Sequence, residues 1–216
     1  MTEEQAQFVD NMQEVEPAAA LATLSNWSAN IVVSRLGNLT KSLSYSFEWE
    51  YDPRTNDIDK MAMAWSGNYT FYTSSTSWRY RVRATRHEYI FSGNPYYPGF
   101  WLNTGPTEEQ SMGYGFGYDD SYQGRGVSKD IDIIDYYVDT ADQSKWYVNK
   151  HMGYLYTEIR KHTTAALSGE VIGRYYHHTS TGSPGTLTFT SQPSITMNGG
   201  SYDPSTTEIV NISFYK

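Results

Sequence analysis

From about residue 30 onward, hydrophobic and polar residues alternate with a period of two. The stretch SLSYSFEWEY is the clearest case, because Tyr45, Phe47 and Trp49 fall on one face of an extended strand while serine and glutamate fall on the other. Such a segment is typical of a half-buried strand with an aromatic inner face. Short stretches of this kind recur toward the C-terminus, separated by turn-forming segments such as SGN, STGSPG and NGG. The pattern predicts a series of antiparallel hairpins.

Strands at this spacing favour an all-β fold, namely an antiparallel two-sheet sandwich, jelly-roll-like, of about a dozen short strands. The first segment has a different pattern. Within residues 2–24, four apolar residues from Phe8 to Val15 fall on one face of a helix. We therefore expect a short N-terminal helical arm over 1–25, ahead of a β-sandwich domain over 26–216. The arm would either pack on the domain or serve as a partner-binding or assembly segment.

Composition narrows the classes of function. The 216 residues include 16 Lys and Arg against 24 Asp and Glu, a net charge of −8, so no nucleic-acid partner is expected. The chain contains no Cys, which excludes a disulfide framework and a thiolate zinc site. No stretch reaches the roughly 18–20 consecutive apolar residues of a transmembrane helix, so we expect no such segment. A polar, Tyr- and Trp-rich β protein is typical of secreted or cell-surface locations.

One predicted strand, SWRYRVRATRH, places three arginines on one face and large apolar residues on the other. Arg79, Arg81 and Arg83 are therefore candidate ligand-binding residues for an anion such as a carboxylated sugar, a phosphate head group or a sulfate. The alternative is a solvated outer face whose arginines pair with acidic residues on neighbouring strands.

Seven aspartates occur between residues 119 and 142. Asp119 and Asp120 are adjacent in a predicted turn, and carboxylate oxygens from loops are the ligands that calcium prefers, so these two residues form a candidate calcium site. The spacing is not that of an EF-hand loop, and aspartates on a solvated strand face would explain the same pattern. No other cofactor is expected.

Two segments rich in glycine and proline, 95–101 and 114–118, carry clustered aromatic residues, and we predict that both are loops. Aromatic rings on loops commonly stack on sugars, enter a membrane interface or pack on a protein partner. The alternative is that the larger rings fold back and close the ends of the sandwich. The candidate ligand-binding residues in these segments are Tyr96, Tyr97, Trp101, Tyr114 and Tyr118.

These observations favour a secreted or cell-surface β-sandwich module that binds a glycan or protein partner through its aromatic loops without catalysis. The sequence contains neither the G-x-S-x-G nor the H-E-x-x-H motif. One alternative is a self-assembling β protein, either a pore-forming toxin or a filament subunit, because open strand edges template pairing and make self-association possible. A second alternative is a jelly-roll glycoside hydrolase that uses Glu88 with Glu158 or Glu170.

Overall fold

A computed structural model describes residues 27–50, 58–66, 69–94, 97–121, 125–161, 167–178, 185–190, 193–200, 202–204 and 208–214. Within these ranges the protein is all-β apart from one 3-10 turn at Thr73–Ser75, and every strand pairing is antiparallel, which confirms the all-β and antiparallel part of the predicted fold. The expected helical arm at 1–25 lies outside the described residues. The strands are β1 (Trp27–Arg35), β2 (Thr40–Trp49), β3 (Ile58–Trp65), β4 (Tyr69–Phe71), β5 (Ser77–Asn94), β6 (Tyr97–Phe116), β7 (Asp120–Ser121), β8 (Gly126–Asp132), β9 (Tyr136–Val138), β10 (Lys145–Lys161), β11 (Leu167–His178), β12 (Thr186–Phe189), β13 (Ile195–Asn198), β14 (Tyr202–Pro204) and β15 (Glu208–Phe214).

The front sheet has the strand order β1-β2-β10-β5-β6, and β4 and β9 also pair with β10. The predicted alternation of β2 is confirmed, because Leu43, Tyr45 and Phe47 are buried whereas Glu48 is exposed. The central strand β10 is 17 residues long and pairs with β2 on one side and β5 on the other. A register shift between Val148 and Lys150 interrupts its pairing with β5.

The back sheet has the strand order β14-β11-β3-β8-β7, with β15 also paired to β11. The hairpin β12–β13 packs behind it and adds a third layer to the expected two-sheet arrangement. The sequence of β3 explains how both faces are covered. Met61, Met63 and Trp65 face the front sheet, whereas the small residues Ala62 and Ala64 face the β12–β13 hairpin.

Aromatic rings fill much of the space between the two large sheets. Trp27 stacks on Phe47 with 5.4 Å between ring centroids, and Tyr175 of the back sheet lies 4.5 Å from Phe47. Gly173 leaves room for the ring of Tyr45, which a Cβ at that position would overlap. A chain with few aliphatic residues thus forms its core from rings, each of which buries a large apolar area.

The prediction of loops over 95–101 and 114–118 is wrong for the residues that belong to β6. This strand runs from Tyr97 to Phe116 despite four glycines and two prolines. It lies at the edge of the front sheet and pairs with β5 on one side. An edge strand tolerates proline because the missing N–H can face away from the partner strand.

Candidate functional site

The β5–β6 hairpin extends beyond the rest of the front sheet. β5 pairs with β10 only between Ser77 and His87. From Glu88 onward β5 pairs with β6 alone, so residues 88–94 and 97–102 form a two-stranded ribbon, here called the hairpin tip. Among the described strands, none other than β5 and β6 pairs within the hairpin tip.

Both faces of the hairpin tip carry exposed apolar side chains. The cross-strand pair Tyr89–Trp101 lies on one face, and its rings meet edge to face at 5.4 Å between centroids. The pair Ile90–Phe100 lies on the opposite face. The exposed fractions are 46% for Tyr89, 70% for Phe91, 55% for Phe100, 37% for Trp101 and 46% for Leu102.

Charged residues are confined to the base of the tip. No Asp, Glu, Lys or Arg occurs between Glu88 and Glu108. At the base, the Arg86 guanidinium lies 2.8 Å from Glu88 and 2.6 Å from Asp142. Hydrogen bonds from Ser144, together with Arg86, lower the pKa of the Asp142 carboxyl to about 2. Beyond Glu88 the tip therefore contains no charged residue, and two ion pairs, Arg86–Glu88 and Arg86–Asp142, lie at its base.

The candidate aromatic residues do not form one site. Tyr96 and the side chain of Tyr97 lie outside the described residues. Trp101 lies at the hairpin tip. Tyr114 is 64% exposed at the opposite end of β6, opposite Arg79 of β5, and Tyr118 is half-buried after the end of the strand, where its ring meets Phe71.

The exposed rings of Tyr89, Phe91 and Phe100 were not among the residues that the sequence indicated. Tyr89 and Phe91 belong to a short alternating stretch that is indistinguishable from an ordinary strand. The run without charged residues after Glu88 is not a distinguishing signal, because residues 61–78 and 175–202 also contain no Asp, Glu, Lys or Arg.

A second candidate site is a cleft of about 280 Å³ on the outer face of the front sheet. Arg79 and Arg81 of β5 line one side, and Asn30, Ser44 and Ser46 of β1 and β2 line the other. The strand β10 runs between the two sides and contributes Tyr154. The pairing register places Asn30, Ser46, Tyr154 and Arg79 in one row across four strands.

The predicted alternation of the arginine strand is confirmed, since Tyr80, Val82 and Ala84 are buried in the core. Arg81 lies 3.6 Å from Glu109 of β6, an exposed pair of the kind that contributes little to stability. Arg83 lies on the same outer face next to Lys150 but does not line the cleft. The structure thus brings two of the three candidate arginines to a cavity.

The candidate calcium residues are paired with lysines. Asp119 lies 2.7 Å from the Lys129 ammonium, and Asp120 lies 3.7 Å from that of Lys60. Lys60 also contacts Asp130 at 2.6 Å. Among the residues that the structure describes, no group of three or more His, Asp or Glu side chains is placed to hold a metal ion. Calcium binding remains a prediction, and the two lysines would compete with the cation.

A buried polar cluster joins the two large sheets. Asp59 of β3 is fully buried and accepts hydrogen bonds from the Tyr175 hydroxyl and, at 2.9 Å, from the His178 backbone N–H. His177 Nδ1 lies 3.1 Å from both carboxylate oxygens. Burial raises the pKa of the Asp59 carboxyl despite these partners.

The front sheet contributes a second part of this cluster. The hydroxyl of Tyr80 lies 2.7 Å from Nδ1 of His151, whose side chain is fully buried. Burial, with a smaller effect of His177, lowers the pKa of His151 to about 4. Burial is also the main cause of the raised pKa of the Tyr80 hydroxyl. None of the residues of this cluster lines the 280 Å³ cleft on the outer face of the front sheet, and its buried groups are hydrogen-bonded to one another.

The glutamates considered for glycoside hydrolysis are far apart. Glu88 lies beyond the His87–Lys145 pair, whereas Glu158 lies beyond the Ser77–Tyr156 pair at the other end of β10. At about 3.3 Å per residue, the two glutamates are separated by roughly 40–45 Å along the strand direction. Glu170 belongs to β11 in the back sheet. A glycosidase needs its two carboxyls within about 5–10 Å of each other, so Glu88 and Glu158 cannot act on one bond.

Comparison with known proteins gives no family. No protein-family model and no curated protein matches the chain. AvmM, which catalyses macrocyclization in alchivemycin A biosynthesis, is similar at 6% identity and a TM-score of 0.31, over 89% of this chain and 90% of that chain. A pore forming protein is similar at 10% identity and a TM-score of 0.33, over 90% of this chain and 88% of that chain.

The Clostridium perfringens NetB toxin in its membrane inserted form is similar at 8% identity and a TM-score of 0.22, over 87% of this chain and 88% of that chain. Scores this low establish neither a common fold nor a common function. Within the described residues, no helix has the length and apolar character needed to cross a bilayer.

Proposed function

We propose that the protein is a secreted or cell-surface binding module, without catalytic activity, that attaches to a lipid bilayer through its hairpin tip. The observation that carries this proposal is the exposure of apolar side chains on both faces of the tip. A sugar or a protein partner typically covers one face of a ribbon. A lipid interface surrounds the ribbon and covers both faces at once.

The size of the exposed apolar surface supports a measurable affinity. Tyr89, Phe91, Phe100 and Trp101 are 46%, 70%, 55% and 37% exposed, the equivalent of about two whole rings. Burying about two rings of roughly 200 Å² each contributes on the order of 10 kcal/mol before the cost of association is subtracted. No side chain between Glu88 and Glu108 is charged, so the strands of the tip beyond Glu88 contribute no ionised group that has to be desolvated. The Lys145 ammonium lies 5.6 Å from the centroid of the Trp101 ring, at the base of the tip.

The backbone of the tip limits how deeply it can enter. In a two-stranded ribbon the outer edge of each strand keeps unpaired N–H and C=O groups, and these are costly to transfer into hydrocarbon. Tyr and Trp rings prefer the boundary between head groups and acyl chains, where one part of the ring is apolar and another is hydrated. We therefore expect the tip to lie in the interfacial layer rather than to span the bilayer.

Self-assembly is the second candidate, favoured by the long edge strand β6. Among the described strands, β6 pairs with β5 alone over its 20 residues. Its middle part, however, carries Pro106, Glu108 and Glu109, and proline and charge on an edge strand oppose pairing with another chain. For this reason we favour membrane attachment through the hairpin tip over self-assembly through the β6 edge as the function of the protein.

Sedimentation with phosphatidylcholine vesicles tests the proposal. The variant Phe91→Ser/Phe100→Ser should bind at least tenfold more weakly than the unmutated protein. A matched control is Tyr114→Ser/Phe116→Ser, which removes two rings of similar exposure from the opposite end of β6, at 64% and 59%. This control should bind the vesicles as tightly as the unmutated protein does. The emission of Trp101 should shift to shorter wavelength on vesicle binding only in proteins whose hairpin tip is intact.

Equal binding by both double variants, or no binding by the unmutated protein, would overturn attachment through the tip. Binding to protein-coated or glycan-coated beads that the tip variant abolishes, without binding to vesicles, would assign the tip to a protein or a glycan instead. Release of a trapped dye from the vesicles would show that attachment leads to pore formation.

A further inference from the structure

We propose that the cleft on the outer face of the front sheet binds an acidic sugar residue, in which a carboxylate or sulfate group contacts Arg79 and Arg81. This site is separate from the hairpin tip and does not rest on the proposed lipid binding. Along β5, Arg81 and Phe91 are ten residues apart, which corresponds to roughly 30 Å.

The charge of the cleft favours an anion. Arg79 and Arg81 project from the same face of β5, about 7 Å apart along the strand, so that both guanidiniums can reach one anionic group. Glu48 is the one carboxylate in the lining, and the Lys150 ammonium lies 2.6 Å from it. Among the lining residues the two arginines thus outnumber the single carboxylate, although Glu109 of β6 lies 3.6 Å from Arg81, so an anionic ligand would compete with Glu109 for this guanidinium. Arginine suits this role because its planar guanidinium matches carboxylate and sulfate groups with two hydrogen bonds.

The opposite side of the cleft favours hydroxyl groups. Asn30, Ser44 and Ser46 supply an amide and two hydroxyls, which donate and accept hydrogen bonds in the way that sugar hydroxyls require. Between the two sides, Tyr154 and Met152 provide apolar surface, and both side chains are almost fully buried. A bare phosphate or sulfate would use the arginines alone, whereas a sugar acid would use the arginines, the hydroxyls and the apolar floor together.

The volume of the cleft limits the size of the ligand. Cavities for drug-sized molecules occupy about 300–1,000 Å³, and this cleft measures about 280 Å³. It therefore accommodates a single sugar residue rather than an oligosaccharide or a nucleotide. A terminal acidic residue of a larger glycan could enter while the remaining sugars stay in solvent.

Paired ligands that differ only in their acidic group test the assignment. Calorimetry or ligand-observed NMR measures the binding of each acidic sugar and of its neutral parent to the whole protein. The pairs are glucuronic acid and glucose, galacturonic acid and galactose, and glucose 6-sulfate and glucose. At least one acidic sugar should bind tenfold or more tightly than its neutral parent. Acetate and inorganic sulfate serve as bare anions, and both should bind more weakly than the acidic sugar.

Three variants connect binding to the cleft. Arg79→Gln/Arg81→Gln should reduce affinity for the acidic sugar at least tenfold. Ser46→Tyr fills the cleft without a change in charge and should also abolish binding, which covers the case in which the double variant fails to fold. Arg160→Gln is the matched control, because Arg160 lies on the outer face of β10 outside the cleft and is exposed.

Arg160→Gln should bind like the unmutated protein. The proposal is overturned if no acidic sugar binds more tightly than its neutral parent, or if Ser46→Tyr leaves affinity unchanged. Binding of sulfate or acetate as tightly as the acidic sugar would also overturn it, since the site would then recognise a bare anion. Binding to the vesicles described above does not decide this question, because phosphatidylcholine contains no sugar.

Discussion

His151 makes the stability of the protein depend on pH. Its imidazole is fully buried between the two large sheets, and burial lowers its pKa from 6.5 to about 4. In the unfolded chain the same imidazole takes up a proton near pH 6.5. Between these pH values the unfolded chain binds more protons than the folded protein, so the free energy of unfolding falls as the pH falls. The contribution of His151 is complete above pH 6.5 and lost below about pH 4.

The expected magnitude follows from the two pKa values. A fall in pKa from 6.5 to about 4 corresponds to about 3 kcal/mol of stability lost across this range. Asp59 acts in the opposite direction, because a carboxyl with a raised pKa contributes stability below its usual range that is lost as the pH rises. His177 and Tyr80 also face the imidazole. A comparison of variants is therefore needed to isolate His151.

Urea unfolding of the unmutated protein and of His151→Gln across this pH range provides the comparison. The unmutated protein should lose about 3 kcal/mol more than the variant between pH 6.5 and pH 4. Tyr80→Phe is the control, because it removes the hydrogen bond to Nδ1 and leaves the imidazole buried, and its pH dependence should follow that of the unmutated protein. Parallel profiles for the unmutated protein and His151→Gln would refute the reasoning.

Two further predictions concern packing and charge. Gly126→Ala should destabilise the protein by about 1–3 kcal/mol, because the new Cβ would overlap the Phe189 ring under the β12–β13 hairpin. Gly37→Ala is the control, because no atom lies near its Cβ, and it should change the free energy of unfolding by no more than about 0.5 kcal/mol. Equal melting temperatures for the two variants would contradict this prediction. Lys60→Met should lower the free energy of unfolding by about 1–3 kcal/mol at neutral pH, because Asp130 loses the cation that pairs with it. Burial already raises the pKa of the Asp130 carboxyl. The difference in the free energy of unfolding between the unmutated protein and Lys60→Met should become smaller as acid protonates Asp130. A difference that becomes larger in acid would contradict the prediction.

The fold class was accessible from the sequence because its signals are local. The alternation around Tyr45 and Phe47 is enough to predict a strand with one buried face. The third layer was harder to predict from the sequence, although the run Met61-Ala62-Met63-Ala64-Trp65 indicates it. A strand that is apolar at every position is typical of burial on both faces, and the small residues mark the face that another layer approaches closely.

The candidate sites depended on contacts that a local pattern does not contain. Glycine and proline in β6 indicated a loop, because their effect on a strand depends on whether the strand lies at an edge. The arginines of β5 were correctly placed on one face. Asn30 and Ser46, however, reach the same cleft only because β10 pairs between β2 and β5, and that arrangement joins parts of the chain about a hundred residues apart.

The central position of β10 also has a consequence for the synthesis of the protein. Both β2 and β5 pair with β10, yet β10 begins only at Lys145, long after β2 has ended at Trp49. At ordinary elongation rates the ribosome needs roughly 5–20 s to cover that interval. During this time the nascent chain carries two open strand edges with aromatic side chains. Chaperones bind the exposed aromatic side chains, and other nascent chains can pair with the open edges. The yield of folded protein in a cell therefore depends on how soon β10 closes both edges.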